Sequence, residues 1–148
     1  MITKITTYFD ACELLCPHVA RRFGAKGLRF LDVTILENLA WIRKNIGRPI
    51  RVNNWQNNGK LSQRGLRCNC CGLVASKTKA GTAYLSAHVL GKAVDFDVDG
   101  MSAEAARRWI KGHADALPYP CRLEEGVSWV HMDTVTDGSA GRVTTFLG

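Results

Sequence analysis

The chain has 148 residues, which is the size of one domain rather than two. Hydrophobic residues make up 46% and charged residues 22%, a balance typical of a globular protein and not of a disordered or collagen-like chain. No apolar run approaches the ~18 residues of a membrane span, and the opening segment has acidic residues where a secretion signal needs a basic start. We therefore expect a single domain over residues 1–148 that has no membrane segment and begins in the cytosol.

The net charge is +7, from 20 Lys+Arg against 13 Asp+Glu, which favours an anionic partner such as nucleic acid, an acidic polymer or a cell wall. Charge alone does not choose among them. Six cysteines would indicate disulfides in a secreted chain, but without a secretion signal they favour free thiols or metal ligands. They are Cys12, Cys16, Cys68, Cys70, Cys71 and Cys121.

The clearest element of the N-terminal part is a helix. Residues 1–25 predict only a short helix or turn around a Cys-Pro-His sequence. Apolar residues then recur at helical spacing, and Thr34 with Glu37 is typical of a capping box. A glycine and a proline follow, so the pattern predicts an amphipathic helix over residues 34–46.

Two predicted strands flank a long loop in the middle of the chain. Residues 50–52 predict a strand, whereas residues 56–86 have many basic residues and little periodicity and predict a long surface loop. Loops of this length inside compact domains tend to be functional. Residues 93–98 alternate with period two, which predicts a strand with Asp95 and Asp97 on one face.

The C-terminal part predicts one helix and three strands. Ser102 is a typical first residue for a helix that continues to about residue 117. Residues 121–124 and 128–135 predict two strands joined by a turn, and residues 143–147 a last edge strand. Together the elements predict an α+β fold, in which a small antiparallel sheet packs one face against both helices.

Three side chains of the metal-ligand type follow in order. His88 precedes a glycine turn, and Asp95 lies on the strand after it; His131 lies on a later strand, with Trp129 and Asp133 on the same face. Two histidines and one aspartate suit zinc, and three protein ligands leave a fourth position for water, as in catalytic zinc sites. Such a metal lowers the pKa of its water and polarises a carbonyl group.

The motif Ser-x-His-x-x-Gly-x-Ala-x-Asp that ends at Asp95, with the later Trp-Val-His that ends at His131, resembles a known family. It is similar to the zinc D-Ala-D-Ala carboxypeptidases and the related phage peptidoglycan peptidases, which share an α+β fold with hedgehog signalling domains. The resemblance extends from about Phe9 to Val135. It implies that His88, Asp95 and His131 bind one zinc ion (Zn²⁺) and that the substrate is a stem or cross-bridge peptide of peptidoglycan.

The residue that accepts a proton from water departs from the family pattern. Many of these carboxypeptidases have an acidic residue three positions before the last histidine, where this chain has Ser128. The nearest acids are Glu124 and Glu125, and the phage-type relatives look similar in having Arg-Leu-Glu just before the Trp-x-His strand. We expect Glu124 to be the general base. Glu125 is the second candidate, and Asp133 is the third because its position suits orienting a ligand or substrate.

The position of the substrate-anchoring arginine also departs from the family pattern. The phage-type relatives tend to have it just after the strand that corresponds to residues 50–52, where this chain has residues 53–56 without an arginine. We expect Arg64 or Arg67 to supply the bidentate contact with a substrate carboxylate, with solvated loop arginines as the alternative. Trp129 is a candidate wall of the substrate cleft, with core packing as its alternative role.

Two other function classes compete with the peptidase. The cysteines of residues 68–71, with Cys12, Cys16 and the basic loop, would suit a zinc knuckle that binds nucleic acid. The adjacent cysteines and the lack of a Cys/His pair downstream argue against it, and we interpret His18 and His113 as structural. A non-catalytic wall-binding or virion structural relative with the same fold is the other alternative.

The sequence and the resemblance together predict a zinc metallopeptidase that hydrolyses a peptide bond in peptidoglycan, as a carboxypeptidase or an endolysin-type endopeptidase. We expect a monomer with no nucleic-acid or membrane partner. It would wait in the cytoplasm until lysis and then act on the cell wall, where its basic surface helps it to stay on an anionic polymer.

Overall fold

The computed structural model describes residues 2–148, which form one five-stranded sheet and several helices. The helices are α1 (Ile2–Ile5), α2 (Ala11–Leu14), α3 (Pro17–Phe23), α4 (Val33–Asn45), α5 (Gly72–Lys79) and α6 (Ala103–Gly112). The strands are β1 (Ile50–Arg51), β2 (Ala93–Val98), β3 (Cys121–Glu125), β4 (Val130–Asp133) and β5 (Val143–Leu147). The predicted α+β class is confirmed. Within residues 2–148, none of the helices has the length and apolar character that crossing a membrane requires.

The sheet is mixed, with strand order β1-β2-β4-β3-β5. All neighbours are antiparallel except β3 and β5, which are parallel, so the prediction of a purely antiparallel sheet is wrong at this edge. The path of the chain explains the difference. Strand β4 ends at Asp133, opposite Arg122 near the start of β3, and β5 begins opposite Cys121 at the same end. After a short connection, β5 therefore runs beside β3 in the same direction.

The two faces of the sheet differ in polarity, as the period-two pattern of β2 predicts. One face is apolar and packs against α6, and α4 buries its apolar side in the same core. Fully burying one such side chain stabilises the fold by roughly 1.5–3 kcal/mol. The core residues of the sheet are Val94, Phe96, Val98, Leu123, Val130 and Met132. We call the opposite face, which carries Asp95 and Asp97, the polar face.

Both long helices begin close to their predicted positions. Helix α4 begins at Val33, and Asp32 is its capping residue, because Asp32 Oδ1 accepts the backbone N–H of Thr34 at 3.0 Å. The predicted capping box that starts at Thr34 is therefore wrong. Ser102 caps α6 as predicted, but α6 ends at Gly112, and a separate 3₁₀ turn follows over residues 114–116.

The long loop is less irregular than predicted, because it contains α5. The β-strand predicted over residues 128–135 is shorter in the structure and leaves Trp129 just before β4. The loop is also fastened to other parts of the chain: Leu66 forms a parallel bridge with Leu15, and the side chain of Asn53, just after β1, accepts the backbone N–H of Arg64 at 3.0 Å. The backbone oxygen of Arg64 accepts the N–H of Asp95 at 2.7 Å. Residues 61–71 are thus held next to the polar face.

Candidate metal centre

Three predicted ligands meet on the polar face. Asp95 of β2 lies directly opposite His131 of β4 in the antiparallel register, and His88 comes from the loop that leads into β2. Their donor atoms all lie within 4.8 Å of one another. All three residues are buried: the exposed fraction is 3% for His88, 6% for Asp95 and 8% for His131. This group, which we call the His88 centre, has the donor atoms and the spacing to hold one metal ion.

The carboxylate of Asp95 lies between the two imidazole rings. Its Oδ2 is 3.2 Å from His88 Nε2, and its Oδ1 is 2.7 Å from His131 Nδ1. Burial opposes ionisation of Asp95, but the hydrogen bonds with His131 and His88 outweigh it and hold its pKa far below the usual range. An ionised carboxylate that faces two imidazole nitrogens is a donor set that zinc accepts.

Each histidine is oriented by a second partner on the far side of its ring. His88 Nδ1 is 2.9 Å from the backbone oxygen of Gly65, and His131 Nε2 is 3.1 Å from Asp133 Oδ2. Asp133 is in turn held by Arg122 through two hydrogen bonds of 2.9 and 3.0 Å. Histidines that bind metals are typically fixed in this way by a carbonyl or carboxylate. The arrangement turns His88 Nε2 and His131 Nδ1 toward Asp95.

The same contacts change the acidity of His131. Burial lowers the pKa of its imidazole, but hydrogen bonds with Asp133 and Asp95 and their negative charges outweigh burial and raise the pKa to about 9. Asp133 is fully buried and its pKa is lowered: burial opposes ionisation, and the contacts with His131 and Arg122 outweigh it. Asp133 is therefore a charged partner of the imidazole, already occupied by donors.

The two glutamates predicted as bases lie on opposite sides of β3. Arg122 is on the polar face, so the next residue but one, Glu124, is there as well; extending the β3–β4 register by one step sets Glu124 opposite His131. Side chains alternate along a strand, so Glu125 points to the other side, where its carboxylate is 2.8 Å from Lys111 of α6. Glu124 therefore shares the polar face with His131, and its Oε1 lies close to Gly148 at the end of the chain, whereas Glu125 lies on the opposite face.

Both predicted arginines contact the polar face. Arg64 Nη1 is 2.5 Å from Asp97 Oδ2, and Arg67 Nη2 is 3.3 Å from Asp95 Oδ2. Arg67 Nε also donates to the backbone oxygen of Gln63 at 2.6 Å, and its side chain is only 12% exposed. Arg67 therefore lies against Asp95, one of the three candidate ligands, and Arg64 lies against Asp97, the next residue of β2 on the same face.

A polar cleft of about 450 Å³ opens beside Asp97, at the β1 edge of the sheet. Glu13, Arg51, Asn53 and Asn57 are among the residues that line it. Arg51 is paired with Asp97 in the register of β1 and β2, and so belongs to the polar face. The polar face thus continues from the His88 centre into a cleft that is lined by both hydrogen-bond donors and hydrogen-bond acceptors.

Arg107, like Arg122, was not predicted from the sequence, yet it shapes this region. Arg107 of α6 is 4% exposed and donates to the backbone oxygens of Val127 at 3.2 Å and Trp129 at 2.9 Å. It fixes the turn between β3 and β4, and Trp129, half-buried, is held there through its backbone. An arginine on an amphipathic helix is usually interpreted as solvent-facing; the available signal was its position between Ala106 and Ile110, both on the buried side.

Comparison with known proteins does not identify the chain. No family model matches it, and neither a curated protein nor a solved structure does. The described residues contain a second group of donor atoms within 4.8 Å of one another, formed by Cys16, His18, Cys68 and Cys71. The chemistry of these two groups of side chains is therefore the guide to function.

Proposed function

We propose that this protein is a zinc-dependent hydrolase that cleaves a peptide bond in bacterial peptidoglycan. The observation that carries the proposal is the convergence of His88, Asp95 and His131 on the polar face, with both imidazoles oriented from behind. Three protein ligands leave a position for a ligand from solution, as in catalytic zinc centres. The resemblance of the ligand motif to zinc D-Ala-D-Ala carboxypeptidases and phage peptidases supports the substrate class.

The side chains around the centre have separate roles in this proposal. When bound, zinc lowers the pKa of a water molecule and polarises a carbonyl group. Glu124 accepts the proton from the attacking water, because it is the glutamate on the face of His131. Asp133 orients His131 instead, because its oxygens already accept hydrogen bonds from Arg122 and Val135. General-base catalysis contributes roughly 10²–10⁴ in rate.

Cationic side chains complete the site for an anionic substrate. Arg67 holds its guanidinium beside Asp95 and stabilises negative charge on the substrate, through either its terminal carboxylate or the carbonyl under attack. Arg64 forms an ion pair with Asp97 and adds positive charge beside Arg67. The net charge of +7 favours adsorption to an anionic wall.

The proposal is tested by digesting purified peptidoglycan and identifying the released fragments by mass. The parent should release peptide fragments, and His88→Ala and His131→Ala should release almost none. His113→Ala is a matched control, because His113 is exposed at the end of α6 and stacks on Trp109. Co-sedimentation with the wall is measured in parallel. If the parent sediments with the wall but releases no fragments, the protein is a non-catalytic wall-binding protein and not a peptidase.

The assigned base is tested by a pair of neighbouring variants. Glu124→Gln keeps the shape of the side chain but removes the proton acceptor, so its turnover should fall roughly 10²–10⁴-fold with the zinc content unchanged. Glu125→Gln should stay near the parent, because Glu125 faces Lys111 on the other side of the sheet. Parent-like turnover by Glu124→Gln would remove Glu124 from the mechanism.

A further inference from the structure

Two short helices begin side by side, and a cysteine precedes each of them. Cys16 immediately precedes α3, and Cys71 immediately precedes α5. His18 lies in the first turn of α3, and Cys68 lies three residues before Cys71. A Cys-x-His pair from the N-terminal part therefore faces a Cys-x-x-Cys pair from the long loop.

Backbone hydrogen bonds hold these two segments together. Cys16 donates its N–H to the backbone oxygen of Leu66 at 3.2 Å, and Leu66 donates to that of Leu14 at 2.9 Å. Cys71 donates to the backbone oxygen of Cys68 at 3.1 Å, which closes a turn. The backbone thus brings the thiols together without a covalent link between them.

The distances between the donor atoms fit a single tetrahedral ion. Cys16 Sγ is 3.7 Å from Cys68 Sγ, which is 4.0 Å from Cys71 Sγ, and Cys71 Sγ is 3.9 Å from His18 Nδ1. With Zn–S bonds of about 2.3 Å, two thiolates on a tetrahedral zinc are about 3.8 Å apart. A disulfide has an S–S distance of about 2.05 Å and joins only two sulfurs. It would not account for three thiols and an imidazole whose donor atoms all lie within 4.8 Å of one another.

We propose that Cys16, His18, Cys68 and Cys71 form a second, structural zinc site, which we call the cysteine site. Four protein ligands close the coordination shell and leave no position for water or substrate, in contrast to the His88 centre. The backbone N–H of Cys68 donates to Cys71 Sγ at 3.3 Å, a contact that supports a negatively charged sulfur.

The four residues do not follow a finger-like spacing, in which a second Cys/His pair lies downstream of the first. The second pair lies upstream, and it includes His18, which we interpreted as structural. Cys12 and Cys70, which belonged to the zinc-knuckle interpretation, are not part of the group. The cysteine site also differs from that interpretation in purpose, because it joins two segments of one domain.

The cysteine site fastens the segment that orients His88. Gly65 supplies the backbone oxygen that faces His88 Nδ1 at 2.9 Å, and Arg67 donates its backbone N–H to the oxygen of His88 at 3.3 Å. Cys68 follows directly. This consequence rests on the proposed role of His88 in the peptidase, whereas the cysteine site itself does not.

Zinc content of the purified, reduced protein tests the proposal. The parent should hold two zinc ions per chain, and Cys68→Ser and Cys71→Ser should each lose one. His88→Ala should lose the other. Cys70→Ser is the matched control, because its exposed thiol is adjacent to Cys71 yet outside the group, and it should keep both. Parent-like zinc in Cys68→Ser and Cys71→Ser would overturn the proposal.

Thiol labelling of the parent keeps the test decisive if these variants fail to fold. Before chelation, a thiol reagent should modify Cys70 rapidly and spare the three cysteine ligands; a strong chelator should expose those three. Cys121 is a control that stays unreactive in the folded protein, because burial raises the pKa of its thiol to about 12. Labelling of Cys16, Cys68 and Cys71 before chelation at the rate of Cys70 would overturn the site. So would a disulfide found among them in the protein as purified.

The outcomes separate this inference from the proposed function. If the protein holds two zinc ions but does not hydrolyse peptidoglycan, the cysteine site is supported and the peptidase proposal is refuted. If hydrolysis depends on His88 but the protein holds one zinc ion per chain and its thiols react freely, the peptidase is supported and the cysteine site is refuted.

Discussion

Asp133→Asn tests whether the hydrogen bonds behind His131 control metal binding at the His88 centre. Asp133 is fully buried, and its carboxylate meets four donors. Its Oδ1 accepts from Arg122 Nε at 2.9 Å and from the N–H of Val135 at 3.1 Å. Its Oδ2 accepts from Arg122 Nη2 at 3.0 Å and faces His131 Nε2 at 3.1 Å. Each oxygen therefore serves two groups.

Asparagine has the same shape but only one acceptor oxygen. Its NH₂ group faces either Arg122 Nη2 and His131 Nε2, or Arg122 Nε and the N–H of Val135. Either orientation leaves at least one partly buried donor, on Arg122, without its acceptor. An unmatched buried donor costs about 1–3 kcal/mol. Loss of the partner behind a metal-binding histidine typically weakens metal binding about 10–100-fold, which is about 1.4–2.8 kcal/mol. We expect Asp133→Asn to bind zinc at the His88 centre about 10–100-fold more weakly.

Competition with a chelator measures this affinity, and the relevant zinc is the one that His88→Ala lacks. Asp97→Asn is the matched control, because Asp97 is also a carboxylate of the polar face paired with an arginine, Arg64. It should stay within about threefold of the parent, since the mutated group does not contact a proposed ligand. Circular dichroism establishes that each variant is folded. Equal affinities for Asp133→Asn and the parent, or an equal loss in Asp97→Asn, would refute the reasoning.

Two further predictions concern stability. Gly91→Ala should lower the melting temperature more than Gly81→Ala: the backbone φ angles are +70° and +67°, but only at Gly91 would the new methyl group meet a backbone carbonyl, that of Phe30. Equal shifts would mean that backbone strain alone matters. Arg107→Met should lower the free energy of unfolding by about 2–4 kcal/mol, because it leaves carbonyl groups of the β3–β4 turn without donors. Exposed Arg108→Met should change it by less than about 0.5 kcal/mol, and urea denaturation that gives equal values would contradict the role of Arg107.

Local patterns predicted the parts of the structure that depend on neighbours in sequence. The alternation in β2 placed Asp95 on the polar face, and the capping preference of Ser102 located the start of α6. The capping residue of α4 was misplaced, because Asp32 and Thr34 both suit that position and only the geometry of the turn chooses between them. Residue preference is informative where one candidate stands alone.

Features that depend on distant pairing were not predictable in the same way. The direction of β5 follows from where β4 ends, and the cysteine site follows from the bridge between Leu15 and Leu66. Neither contact produces a periodic pattern of residues in the sequence. The burial of Arg107 is similar, since its partners are backbone oxygens of a turn that is far away along the chain.

The His88 centre is held by two kinds of support. Asp95 and His131 are neighbours in the sheet, where the register of β2 and β4 fixes their separation. His88 comes from a loop, and its orientation depends on the backbone of Gly65 and Arg67 and on the turn that ends at β2. Because loops open locally at lower free energy than sheet strands, His88 is the one of the three proposed ligands that needs added reinforcement. The closed zinc site that we propose directly after Arg67 adds this reinforcement to the backbone hydrogen bonds of Leu66 and Arg67.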